Sequence, residues 1–447
     1  MLDNKISSQL NSMAFSTAIG MLSVIGFNLV DTLFIAQLGV GELAAISFTP
    51  AIIFSLSSLT IGLGIGLSVV ISAESEHQNK QKICTYSIWL SLIFSTLFGL
   101  LGAATIDPVF SLLGASGNVL DQVHKYMFIW YLSMPLMVLP IVGNSAIRGL
   151  GNAKFPATLM LFSSILNLII DPILIFGLGP IEGMGIAGAA WASMIARLIS
   201  TLIAIRYLHY KLDLLTLSFN TLQDVLSIWQ RVLKIAMPAG ASRILTPLSM
   251  GIVTMIVAKH GSEAVAAFGV GARIESLTMI FITGLSTVIG PFIGKNLSHS
   301  ATDRVNGAIN YGLKFCLIWG GVNAVVLMLL AKPLGHLISD DAQVVEYSIW
   351  YLYIIPISLT GLATQIIVSS CGYPLGKPML GLHLSMLRMW LFCIPAVLIG
   401  NHFGGVVGIM WAILIANILC GLVSFIVIKK IQTQTLTTHL VAPQRVS

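Results

Sequence analysis

The chain has 447 residues, of which 56% are apolar and only 9% charged, with a formal net charge of +6. Soluble domains carry about 25% charged residues, so this composition excludes a water-soluble fold of such length. Twelve mostly apolar stretches follow one another at 13–37, 44–73, 84–106, 126–147, 155–177, 184–208, 232–258, 264–294, 309–331, 347–371, 380–400 and 405–428. Each is close to or longer than the ~20 residues needed to cross a bilayer. Runs of this length joined by short loops satisfy their backbone polar groups as helices rather than as barrel strands. The fold class is therefore an all-α integral membrane protein. The first stretch follows a short segment bearing one cation, Lys5, and has no small-residue cleavage site after it. That pattern predicts a retained span rather than a signal peptide.

The cations orient the chain. Sixteen of them, among them Lys80, Lys82, Arg148, Lys154, Lys377, Lys429 and Arg445, fall at the termini or in loops after even-numbered spans. Loops after odd-numbered spans hold three: Lys125, Lys259 and Lys332. The positive-inside rule then places both termini in the cytoplasm. The basic balance is accounted for by orientation, and no nucleic-acid partner is expected. Five cysteines (Cys84, Cys316, Cys371, Cys393 and Cys420) lie in or beside spans without CxxC spacing, which predicts inert buried thiols and no metal site.

An internal repeat divides the chain. Gly185-Ile-Ala-Gly-Ala-Ala-Trp-Ala-Ser-Met-Ile-Ala196 reads against Gly405-Val-Val-Gly-Ile-Met-Trp-Ala-Ile-Leu-Ile-Ala416, while Gly62-Leu63 meets Gly284-Leu285 and His77 meets His299. Six spans per repeat is an even number. The repeat thus predicts two six-helix bundles of one orientation, related by a pseudo-two-fold axis along the membrane normal. The expected organisation is an amino-terminal lobe at 1–208, a cytoplasmic linker at 209–231, a carboxy-terminal lobe at 232–430 and a cytoplasmic tail at 431–447.

A carboxylate inside a span costs several kcal/mol unless it is paired or protonated, so such residues are functional candidates by default. Asp31 in span 1 and Asp171 in span 5 are the two that stand out. Asn28 and Thr32 flank the first, and Ser163, Asn167 and Asp171 fall at i, i+4 and i+8 on one helical face. Pro172 brings no amide proton, which leaves the Leu168 carbonyl free beside them. Orientation puts Asp31, Asp171 and Ser193 of span 6 at similar depth. Their counterparts in the second half are apolar or soft: Val253 for Asp31, Met389 for Asn167, Cys393 for Asp171 and Ile413 for Ser193. Arg197, Arg243, Arg273, Glu275 and Arg388 also lie near spans, where snorkelling or a local Arg273–Glu275 pair is the expectation. The run Gly62-Leu-Gly-Ile-Gly66 lacks the Lys-Ser/Thr of a phosphate loop and suits close helix packing, and no HExxH surrounds any histidine.

With these segments in view, the chain resembles the multidrug and toxic compound extrusion family, in its DinF-type prokaryotic branch. The resemblance rests on Asn28-Leu-Val-Asp-Thr-Leu-Phe-Ile-Ala-Gln-Leu-Gly39, Arg148-Gly-Leu-Gly-Asn-Ala-Lys154, Asn167-Leu-Ile-Ile-Asp-Pro172 and Gly188-Ala-Ala-Trp-Ala-Ser193, and covers nearly the whole chain. It implies a bacterial or archaeal inner-membrane antiporter, not an enzyme, that exports small amphipathic and often cationic drugs by alternating access. It also implies a cation-coupling site of Asp31, Asn167, Asp171 and Ser193, driven by protons in preference to sodium, with no further cofactor and a monomeric chain. Phe15, Phe34, Tyr131, Trp191, Met250 and Met255 are candidates for a substrate cleft. Two departures stand out: the acids that NorM-type members use in the second half have no counterparts here, and span 1 lacks a proline, so any hinge there falls to Gly20 or Gly26. The rival readings are a flippase for lipid-linked precursors and an intramembrane enzyme using Asp31 and Asp171 as an acid/base pair.

Overall fold

The structure, a computed structural model, describes residues 2–216 and 221–441. Arg445, the tail beyond Val441 and the linker residues 217–220 lie outside the described residues. Helices dominate, in the order α1 (Leu2–Ala36), α2 (Val40–Phe48), α3 (Pro50–Ser72), α4 (His77–Ala104), α5 (Ile106–Leu112), α6 (Gly117–Leu132), α7 (Met134–Gly149), α8 (Lys154–Phe176), α9 (Ile186–Arg206), α10 (Leu222–Val257), α11 (Ser262–Thr278), α12 (Ile280–Ser298), α13 (Thr302–Ile338), α14 (Ala342–Gly372), α15 (Leu380–Met386) and α16 (Ile394–Val441). A two-residue antiparallel ribbon, β1 (Gly177–Leu178) with β2 (Ile181–Glu182), caps the turn after α8.

Ten helical segments among the described residues are long and apolar enough to cross a membrane, or eleven with α6 and α7 taken as one span bent by 48°. The last segment, Leu380–Gln434, has 55 residues. At 1.5 Å per residue it would run about 80 Å, against a hydrocarbon core of about 30 Å. It turns back at Gly405, whose φ of 54° and ψ of −136° are non-helical, and so makes two spans. The total is the twelve read from the sequence.

Gly405 also carries the repeat into the backbone. Gly185, its partner in the sequence repeat, opens α9 with φ 56° and ψ −135°. Both positions need a residue without a Cβ. The next repeated glycine has a packing role in both halves. A Cβ on Gly188 would meet the Leu174 carbonyl oxygen at 2.2 Å, and one on Gly408 would meet that of Gly400 at 2.0 Å. Ile129-Trp-Tyr-Leu132 and Ile349-Trp-Tyr-Leu352 extend the same offset into spans 4 and 10.

The chain divides into two compact units, Ser16–Gly240 and Met1–Phe15 with Ala241–Ser447. These differ from the division drawn at 208 and 232. Residues 222–231 are the first turns of α10 rather than a linker, and through Gly240 this helix packs on the first unit. Close approach is made possible by glycines: a Cβ on Gly62 would meet the Ala236 carbonyl oxygen at 2.5 Å, and one on Gly66 that of Val232 at 2.6 Å. The start of α1 in turn belongs to the second unit. There Phe15 stacks on Phe281 with ring centroids 5.9 Å apart, Arg304 donates to Gln9 at 3.3 Å, and the Tyr311 hydroxyl donates to Asn11. Each half of the sequence thus lends the start of its first helix to the other half's unit. The remaining described linker is held by His77 and Gln81 of α4, which reach the Asp213 carbonyl at 3.0 and 2.9 Å.

Helix α1 is uninterrupted from Leu2 to Ala36, with no break at Gly20 or Gly26. Gly20 lies against α8, where a Cβ would sit 3.1 Å from the Ala157 Cα, while Gly26 has nothing within 4 Å. The marked bend lies in span 4, at Ser133. Pro135 cannot donate to the Tyr131 carbonyl, and its ring crowds that oxygen, so the helix parts there.

These contacts yield a direct test of helix packing. Gly188→Ala should force α8 from α9 and lower stability by about 1–3 kcal/mol, whereas Gly251→Ala, which meets nothing within 4 Å, should leave it equal or higher. Thermal unfolding of the two purified variants is the check.

Candidate functional site

The first unit brings the predicted acids together. Asp31 comes from α1, and Asn167 and Asp171 from one face of α8. Asp171 is fully buried, and Asn167 and Ser193 are nearly so. The Asn167 amide donates from Nδ2 to the Ser193 hydroxyl at 3.1 Å, joining α8 to α9. The carboxyls of Asp31 and Asp171 lie within reach of a shared hydrogen bond, but as carboxylates neither has a proton to donate. Four buried oxygens, Asp31 Oδ1, both Asp171 oxygens and Asn167 Oδ1, consequently have no donor. The free Leu168 carbonyl above Pro172 adds a fifth acceptor to this neighbourhood. An orphaned buried acceptor costs about 1–3 kcal/mol, so the cluster is short of positive charge.

Two residues that the sequence reading left out adjoin the site. The Arg197 guanidinium acts electrostatically on Asp31 and on Tyr126, and the charges of both acids reach Tyr126 of α6. Arg197 lies one turn beyond Ser193 on α9, and that i, i+4 spacing from a candidate ligand was the available signal. It is not snorkelling: its Nη1 donates to the buried Ser133 hydroxyl at 3.0 Å.

Other candidates fall elsewhere. Asn28 and Thr32 are exposed, and the Thr32 hydroxyl donates to the Asn28 carbonyl at 2.8 Å. Ser163 is half-buried one turn before Asn167. Among the cleft candidates, Tyr131 is packed away: it is 4% exposed, and a Cβ on Gly102 would meet its ring at 2.1 Å. Phe34 is half-buried edge-on to Phe176 at 6.1 Å, and Trp191 is exposed. In the second unit Phe15 and Met255 are exposed and Met250 is half-buried.

The second unit fills the corresponding place with apolar packing. Val253 and Cys393 are buried in one hydrophobic cluster, with Ile413 packed against it. The counterparts of Asp31, Asp171 and Ser193 thus converge as the originals do, without their chemistry. Polar groups lie nearby: the Tyr351 hydroxyl donates to Glu275 at 3.1 Å, and Arg388 reaches Asn417 and Thr246 at 3.4 Å each. Arg273 is exposed and, among the described residues, makes no ion pair with Glu275.

Comparison with known proteins agrees with the fold. The MatE family model matches residues 17–173 and 238–399, and the chain belongs to that family of membrane transporters. It is 34% identical to a FAD transporter of Shewanella oneidensis over 96% of both chains. To the multidrug export protein MepA of Staphylococcus saprophyticus it is 25% identical, over 92% of this chain and 90% of the other. The crystal structure of the transporter VcmN of Vibrio cholerae in its bent form superposes with a TM-score of 0.91 at 29% identity, covering 97% of this chain and 98% of that one.

Because the two acids lack donors, replacing one with an amide should relieve the site. Asp171→Asn is expected to raise the unfolding temperature or leave it unchanged, since the new amide donates to Asp31. A drop of several degrees in purified protein would show that Asp171 has a partner the geometry does not reveal.

Proposed function

We propose that the protein is a proton-coupled antiporter of a prokaryotic cytoplasmic membrane, both termini inside, that exports planar amphipathic molecules. The observation that carries this reading is the charge balance of the buried cluster. Two carboxyls lie within hydrogen-bond reach of each other, and one cation, Arg197, acts on Asp31, which leaves the cluster one positive charge short. A proton shared between Asp31 and Asp171 removes the deficit and supplies the missing hydrogen bond in one step. A buried carboxyl in general holds its proton more tightly than one in water. The outward-open protein then loads a proton, the inward-open protein releases it, and cargo takes the opposite route because each ligand favours a different state. Asn167 suits both stages, donating to an ionised neighbour or accepting from a protonated one.

Sodium is the second reading. It rests on the same orphaned acceptors, which are hard oxygen donors. For cargo, likeness to the Shewanella FAD transporter at 34% over nearly the full length supports a flavin dinucleotide ahead of the drugs handled by the 25% identical MepA relative. A lipid-precursor flippase is less well supported, because the relatives matched are a FAD transporter and a multidrug exporter. The enzyme reading is less well supported, because the matched family and relatives are transporters.

Purified protein in liposomes loaded with FAD, or separately with a cationic dye, tests this. Efflux should follow an imposed pH gradient at fixed membrane potential, and Asp31→Asn should abolish it while the protein remains folded. Efflux that ignores pH but follows sodium moves the assignment to sodium. Efflux of neither cargo under either gradient contradicts antiport.

A further inference from the structure

Arg197 joins two features of the first unit: the acid pair and the break in span 4. On α9, Ser193, Arg197 and Thr201 share a face at i, i+4 and i+8. Ser193 accepts from Asn167 beside the acids. Arg197 donates to the Ser133 hydroxyl at 3.0 Å, and Ser133 in turn donates to the Trp130 carbonyl at 2.8 Å. Ser133 is fully buried at the junction where α6 and α7 meet at 48°. Thr201 donates to the Leu136 carbonyl at 2.9 Å. That carbonyl is free because Pro140, four residues on, has no amide proton to offer it. Span 4 is therefore weakened by Pro135 and Pro140, and α9 holds it by side chains at the weakened turns.

We propose that Arg197 is a positioning residue that passes the state of the Asp31–Asp171 pair to the hinge at Ser133. This rests on the proton reading above and adds the moving part, which α1 does not provide because it has neither proline nor break. The titratable groups whose charge acts on Arg197 are Asp31 of α1 and Tyr126 of α6, and Asp171 of α8 reaches it through Asp31. Helix α7 brings no carboxylate to it, its one charged residue being Arg148. With the acid pair protonated, the guanidinium keeps its bond to Ser133 and the bend is held. With the pair ionised, the Asp31 carboxylate, no longer sharing a proton with Asp171, draws the guanidinium from a neutral hydroxyl, since charge-assisted hydrogen bonds are about twice as strong. The Ser133 tie is then released.

The test uses spin labels on Asp121→Cys in α6 and Lys154→Cys at the start of α8, both exposed. The five native cysteines are buried and stay unlabelled. In the otherwise unaltered labelled protein the interlabel distance should differ between acidic and alkaline pH. In Arg197→Gln the distance should no longer respond to pH, and pH-driven export should fall roughly tenfold, within the range of allosteric couplings. Arg197→Lys should restore part of both. Ser133→Ala is small enough to fold and leaves every charge in place; it should lose the distance response while still taking up protons. A pH-driven exporter whose Arg197→Gln or Ser133→Ala variant keeps the full distance response overturns this inference alone. Export and distance both indifferent to pH overturn it together with the proton reading.

Discussion

Placing two carboxyls and a single guanidinium at membrane depth is the constraint on which the account turns. In hydrocarbon, charge has to be balanced locally, because water is absent and the cost of an uncompensated ion is several kcal/mol. Asp31, Asp171 and Arg197 leave this cluster one positive charge short, and among the described residues no protein donor reaches Asp31 Oδ1 or either Asp171 oxygen. In the proposed reading, a small cation from outside completes such a site.

The second unit shows what the same framework becomes without that demand. Gly405 repeats the backbone conformation of Gly185, and Gly408 repeats the close helix approach of Gly188. Yet the positions of Asp31, Asp171 and Ser193 are occupied there by Val253, Cys393 and Ile413, which pack together. The repeat preserves helix geometry and lets the chemistry diverge. Arg197 and Asn417 are partners across the repeat, and each bonds a serine of the span-4 or span-10 helix, Ser133 or Ser358. The same pair of helices is thus tied in both units, though Ser358 lies five residues beyond the counterpart of Ser133, which is Tyr353.

Much of this was legible in the sequence because a membrane imposes simple rules. Span length fixed the number of helices, and the glycine repeat located the halves. The cost of a buried carboxylate pointed to Asp31 and Asp171, and helical periodicity put Asn167 beside them. What escaped depends on contacts between helices distant in sequence. Arg197 looked like a snorkelling residue because nothing local links it to Ser133, 64 residues away. Tyr131 looked available to cargo because its packing on Gly102 is a tertiary contact. The boundary between units fell at Gly240 because α10 begins on the first unit, through glycine contacts that no loop signal announces.

The central claim is that the buried pair holds one proton that cargo displaces. Counting protons released when FAD binds to purified protein in weakly buffered solution tests it most directly. The account predicts that wild-type protein releases close to one proton per bound cargo and that Asp31→Asn binds cargo with none released. Equal release from both proteins, or binding to wild type with no release at any pH, would contradict it.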